Sequence, residues 1–348
     1  MGLHIRADPA RARALSTEVN TRLLSSLRYV FDETDRQLNV DVVAVSEWLD
    51  RLAIAHRPKP LIHALFHALV RHIENADLKT ACEIAKLLLG LEPAATSDEF
   101  HIVSFDDDCL GLGACALYRQ FADTEEDNRL DLIRPDASEI GRFRPTFDQS
   151  LALLAENDTE LLGEFRALVG DVVLVAQGPQ SRFGLGALSC FETWGALFFN
   201  ASAQRDALEL VGTIAHECTH LLLFALALDE PLVLNNREER YYSPLRDQMR
   251  TMDGIFHATL VAARMTQAFL CQAEATTRPI AFREMAMNRA KGGFSYFDRG
   301  VEAIRKDGSL SARGETLLEN AIVAMDDARV TAENKGCSGQ ERHVGGLS

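Results

Sequence analysis

Nothing in this chain reads as a membrane span or an export signal. No stretch of about 18 uncharged apolar residues occurs, and residues 1–19 hold no apolar leader core. Positive charge is in deficit: 36 Lys and Arg face 51 Asp and Glu, a net charge of −15. That balance argues against nucleic acid or an anionic membrane surface as partner. Cysteine is sparse and unpatterned, with seven residues, an odd number, and no C-x-x-C pair. A disulfide framework and a Cys-rich structural zinc site are thereby disfavoured, and reduced thiols in a cytoplasmic protein are expected. A P-loop, a G-x-G-x-x-G after a strand and a G-x-S-x-G elbow are all missing, so nucleotide-binding and serine-hydrolase chemistry have no motif to stand on. What remains is a 348-residue chain, 47 % hydrophobic and 7 % aromatic, long enough for two domains or one large one with a sizeable core.

Apolar residues recur at three- and four-residue spacing from 10 to 90, as in Leu23, Leu24 and Leu27 or Leu65, Leu69 and Ile73, which predicts amphipathic helices broken near Pro58 and Pro60. Residues 100–105 read as a short strand and 122–138 as an acidic, solvated stretch. A helix is expected over 147–168, strands over 171–176 and 186–200, and then an apolar helix from near Ser202 to the stop at Asp229-Glu230-Pro231. Residues 234–244 read as irregular, 254–274, 280–306 and 314–331 as helices, and 333–348 as a loose tail. The expected architecture is mainly α within the α+β class, with a small sheet just before a central helix and no jelly-roll barrel. Its expected division is a helical N-terminal region over 1–165, a catalytic region over 166–332 and the tail over 333–348.

Inside the apolar helix stands His216-Glu217-Cys218-Thr219-His220, an H-E-x-x-H pattern. Residues i and i+4 share a helix face, so both imidazoles can reach one metal ion with Glu217 beside them. A carboxylate in so apolar a segment is costly to bury without a partner, which favours a cation there. Cys218 points to another face and reads as core, while Gly212 permits a close approach by a ligand or by another helix. Two His are too few for a stable site, so the third ligand decides the chemistry. Leu223 and Leu226 stand where a metzincin has Gly and its third His, which excludes that class. Glu239 is the candidate for a zinc peptidase, although it sits in a charge run with Glu238. His257, on an apolar helix, is the other candidate, and three neutral imidazoles suit zinc or iron. The His63/His67 pair lacks a carboxylate and reads as packing. His72-Ile73-Glu74, an H-x-E of the jelly-roll oxygenase kind, lies in a helical segment and reads as incidental.

Four pieces in order, Trp194-Gly195-Ala196-Leu197, the H-E-x-x-H helix, Tyr241-Tyr242-Ser243-Pro244-Leu245-Arg246 and Met252-Asp253-Gly254-Ile255-Phe256-His257-Ala258, resemble the HExxH-domain proteins of ribosomal peptide natural product pathways. The resemblance spans about 70 residues. That family looks like α-ketoglutarate-dependent iron(II) peptide β-hydroxylases. It implies Fe(II) held by His216, His220 and His257, with α-ketoglutarate and O2 as co-substrates and a precursor peptide as substrate. The distal carboxylate of α-ketoglutarate calls for a cationic fork. If residues 245–252 form a helical turn, Arg246 and Arg250 share a face near Ser243 and Tyr242, and Arg264, two turns beyond His257, is a further candidate. Glu217 is the general base in a zinc peptidase, whereas in an oxygenase it orients a ligand or contacts substrate. Two rivals accompany the oxygenase expectation: a zinc metallopeptidase, and a non-catalytic peptide-binding protein with a structural metal.

Overall fold

In the computed structural model, residues 2–340 are described except 56, 94–98, 112, 124–128 and 204–205. In chain order the elements are α1 (Pro9–Leu38), α2 (Val42–Ile54), α3 (Pro60–Glu74), α4 (Leu78–Gly90), β1 (His101–Ser104), α5 (Asp107–Leu110), α6 (Ala114–Ala122), β2 (Leu132–Ile133), α7 (Ala137–Asn157) and α8 (Thr159–Leu168). Then follow β3 (Asp171–Gln177), β4 (Ala187–Leu188), β5 (Ala196–Asn200), α9 (Ala207–Leu226), β6 (Tyr241–Ser243), β7 (Gln248–Arg250), α10 (Met252–Ala273), α11 (Ile280–Asp307) and α12 (Ala312–Gln340). The fold is mainly helical α+β with a small mixed sheet that does not close into a barrel. None of the described helices is long and apolar enough to cross a membrane.

The chain forms two compact units that interleave in sequence: one takes Met1–Arg11, Thr146–Glu164 and Asp206–Ser348, the other Ala12–Pro145 and Phe165–Arg205. The boundary expected at 165/166 lies next to one of these crossings. The second unit holds the sheet, ordered β1-β3-β5-β4, with β1 and β5 both parallel to β3 and β4 antiparallel to β5. Val172, Val173, Leu174 and Val175 of β3 are all fully buried, the near-continuous apolar run expected of a parallel strand covered on both faces. Against it pack Trp48, Ile62, Leu65, Leu69 and Tyr118 in one continuous core.

In the first unit α10 and α11 pack closely through small residues seven apart. A Cβ on Gly293 would sit 2.0 Å from Thr266 Oγ1, and one on Gly300 would sit 2.1 Å from Thr259 Oγ1, so only glycine allows this approach. Gly212 of α9 is a tight crossing too, since a Cβ there would meet the Phe269 ring of α10 at 2.5 Å.

Several sequence expectations are corrected. The single helix expected over 147–168 is two, because Asp158 ends α7 and caps α8 by accepting from Leu161 N at 3.0 Å. The strand expected over 186–200 is broken by a 3-10 turn and by Gly195, whose φ of +88° is open to glycine at low cost. The short strand β2 lies within the stretch expected to be solvated loop or helix surface, where 124–128 fall outside the described residues. Residues 333–340 are helical because α12 runs on to Gln340, each added residue contributing a hydrogen bond to an existing helix. The rest of the expected tail, 341–348, lies outside the described residues.

Candidate metal centre

α9 begins five residues later than Ser202, at Ala207, because Asp206 is its N-cap: the carboxylate accepts from Glu209 N at 2.7 Å and pairs with Arg289 at 2.8 Å. From there a 20-residue helix carries His216, His220 and Phe224 at four-residue spacing on one face. α10 starts at the N-cap Thr251, whose Oγ1 accepts from Gly254 N at 3.1 Å, and it delivers His257 one turn later.

The three imidazoles meet. His216 Nε2 and His220 Nε2 are 3.2 Å apart, and His220 Nδ1 is 3.2 Å from His257 Nδ1. The His220 and His257 rings are nearly parallel, 27° between planes with centroids 5.4 Å apart, and the Phe224 ring packs against both, with centroids 6.2 Å from His220 and 5.6 Å from His257. Metal–nitrogen bonds of about 2.0–2.1 Å would span the His216–His220 separation at a ligand–metal–ligand angle of about 100°. That pair therefore fits one ion. His257 faces the opposite nitrogen of His220, so the rings form a chain. Among the described residues no group of three or more His, Cys, Asp or Glu converges as a ligand cluster for one ion.

Burial, reinforced by neighbouring positive charge, Arg246 included, lowers the pKa of His216 and His220 to about 3, and burial lowers that of His257 to about 4. All three are neutral at physiological pH, with lone pairs available to a cation. Glu217 is 2 % exposed, and its Oε1 lies 4.0 Å from His216 Nε2. Asp253, four residues before His257, has Oδ1 4.0 Å from His257 Nε2, where a carboxylate can orient the ring. Neither Phe224 nor Asp253 was marked by the sequence reading, although both sit at i+4 or i−4 from a candidate ligand.

The arginine candidates separate. Residues 245–252 are not a helical turn: β6 and β7 form a hairpin in which Tyr241 faces Arg250 and Ser243 faces Gln248. The chain reverses through Asp247, at φ +52°, which also accepts from Tyr242 Oη at 2.6 Å. Arg246 is therefore in the turn and Arg250 in the second strand, and they share no helix face. Arg246 is exposed and forms no ion pair among the described residues, yet its charge reaches both His216 and His220. Ser243 is fully buried, and its hydroxyl has no hydrogen-bond partner among the described residues. Arg250 is half-buried, and with the Gln248 amide oxygen turned toward it, that oxygen accepts from its Nε at 2.6 Å. Arg264 is committed elsewhere: it is 3 % exposed, pairs with the buried Glu164 and donates to Ile5 O at 2.9 Å.

Glu239 is exposed and accepts from the Tyr241 hydroxyl, and no contact joins it to the histidines among the described residues. Cys218 is core, as expected. His63 is buried with Nε2 3.2 Å from Asn20 Oδ1, and His67 packs edge-on against Phe66, Phe121 and Phe191. No protein-family profile matches the chain, and no curated protein matches it.

Proposed function

We propose that this protein is an iron(II)- and α-ketoglutarate-dependent oxygenase that hydroxylates a side-chain β-carbon of a ribosomally synthesised peptide in the cytoplasm. The observation that supports it is the run of three neutral imidazoles near Arg246 and Ser243, a cation without an ion pair and a buried hydroxyl without a partner among the described residues. An N-only donor set suits iron or zinc, and a guanidinium with a hydroxyl near it suits the distal carboxylate of a co-substrate.

When bound, the iron supplies the oxidising power that inserts one atom of O2 into a C–H bond while α-ketoglutarate is converted to succinate and CO2. The residues have simpler tasks. His216 and His220 would hold the metal through Nε2, and His257 would be the third ligand after a change of ring rotamer. Phe224 limits the rotation of His220 by stacking on it, and Asp253, with Oδ1 4.0 Å from His257 Nε2, would orient that ring. Arg246 and Ser243 grip the distal carboxylate, with Arg250 beside them in the hairpin. Glu217, buried at the metal edge, orients His216 or a water. The six described cysteines are all unbridged, in keeping with a reducing compartment.

One feature favours a second reading, a zinc peptidase: a buried carboxylate 4.0 Å from a ligand nitrogen is where a general base would stand. Metal analysis of anaerobically purified protein, followed by calorimetric titration of the iron form with α-ketoglutarate, separates the two. The oxygenase reading expects iron and saturable α-ketoglutarate binding. Tight zinc with no α-ketoglutarate binding supports the peptidase.

A further inference from the structure

One amide side chain ties the hairpin that carries Ser243 and Arg246 to the connection between α11 and α12. Just upstream, residues 232–234 run against that connection: Leu234 N donates to Ser309 O at 2.7 Å, Ser311 N donates to Leu232 O at 3.0 Å, and Val233 bridges Leu310. Asn235 is next in the chain. Its Oδ1 accepts from Ser309 N at 2.6 Å, and its Nδ2 donates to Asp307 O and to the Tyr241 hydroxyl, both at 2.9 Å. These partners fix the amide's orientation, since its oxygen meets an N–H and its nitrogen meets a carbonyl.

Tyr241 opens β6. Its hydroxyl accepts from Asn235 and donates to Glu239, and the bond to Glu239 raises its pKa, which keeps it a donor. Glu239, a ligand candidate by sequence, is thus engaged at the foot of the hairpin. Tyr241 and Ser243 are two apart on one strand, so their side chains share a face, and across the ladder they pair with Arg250 and Gln248. A shift at Tyr241 therefore carries Ser243 with it. The turn that follows carries Arg246, whose charge reaches His216 and His220. Strands of three residues make a hairpin that is marginal in water by itself, so its placement depends on anchors of this kind.

We propose that Asn235, acting through Tyr241, is a positioning residue: it sets where the hairpin stands over the histidines, and so the grip of Arg246 and Ser243 on the distal carboxylate of α-ketoglutarate. The second half rests on the oxygenase reading, and the test separates the two. Asn235→Ala and Tyr241→Phe are made in the full chain; the second removes a single hydroxyl and serves if the first misfolds. In metal-free protein, amide hydrogen exchange over 241–250 is expected to speed up about threefold or more in both variants, with exchange in α9 unchanged. In the iron form, calorimetric titration compares α-ketoglutarate with pyruvate, a 2-oxo acid without the distal carboxylate. Both variants should weaken α-ketoglutarate roughly three- to tenfold, the weight of one neutral hydrogen bond, and leave pyruvate affinity and iron retention at wild-type levels. Unchanged exchange in both variants, wild-type α-ketoglutarate affinity in both, or equal weakening of the two oxo acids would overturn the proposal. Wild-type protein that binds no α-ketoglutarate, with faster exchange in both variants, would overturn the oxygenase reading alone and uphold the anchor.

Discussion

Replacing Glu164 with Gln keeps the shape of a side chain that has no exposed surface and removes the charge that two guanidiniums share. One is Arg264, and the other is Arg11, whose Nη2 lies 3.6 Å from Glu164 Oε2. The same carboxylate also accepts from Asp8 N at 3.1 Å, while Arg11 and Arg264 donate to the carbonyls of Arg6 and Ile5. The substitution therefore strands two buried cations and loosens the N-terminal residues they hold. Removing one partner of a buried pair costs about 3–5 kcal/mol, and the stranding of two cations puts the expected loss in the upper part of that range. Urea denaturation at pH 7 followed by far-UV circular dichroism measures it. Arg264→Gln should lose stability on the same scale, with the α-ketoglutarate requirement of the folded fraction unchanged. A loss below about 1 kcal/mol in Glu164→Gln would refute the assignment of Arg264 to a structural pair and return it to the co-substrate candidates.

His216→Ala or His220→Ala should abolish retention of iron through gel filtration, while His63→Ala and His67→Ala retain it. Equal loss in both pairs would mean that the site is misplaced. Arg246→Ala should raise the α-ketoglutarate concentration needed for half-saturation ten- to a hundredfold, the equivalent of about 1.5–3 kcal/mol, with iron binding intact and only partial rescue by Arg246→Lys. Two adjacent glycines of α11 should respond with opposite sign. Gly292→Ala, which meets nothing within 4 Å, stabilises by about 0.5–1 kcal/mol in chemical denaturation, whereas Gly293→Ala destabilises because its Cβ would sit 2.0 Å from Thr266 Oγ1.

The parts of the site that follow from helix periodicity were legible in the sequence. His216 and His220 share a face because they are four apart, and His257 was marked by an imidazole in an apolar helical pattern. The fold class and most helices were legible for the same reason. What depends on contacts far apart in the chain was not. Arg264 reads as a candidate anion ligand until Glu164, a hundred residues earlier, is found against it. The turn of the 241–250 hairpin rests on Asp247 in the left-handed region, a conformation without a strong signal in Pro-Leu-Arg-Asp-Gln. That turn separates Arg246 from Arg250, which sequence spacing had joined. The ring orientation of His257 is a side-chain torsion, and spacing is blind to it.

The central claim is the oxidation of a peptide side chain at the His216, His220 and His257 centre. Its most direct test is mass spectrometry of a candidate precursor peptide incubated with the iron form of the protein, α-ketoglutarate and O2, with succinate measured in the same sample. The expected result is an uncleaved peptide heavier by one oxygen atom, with one succinate formed per oxygen inserted. A peptide cut by the zinc form, with no succinate above background, would contradict it.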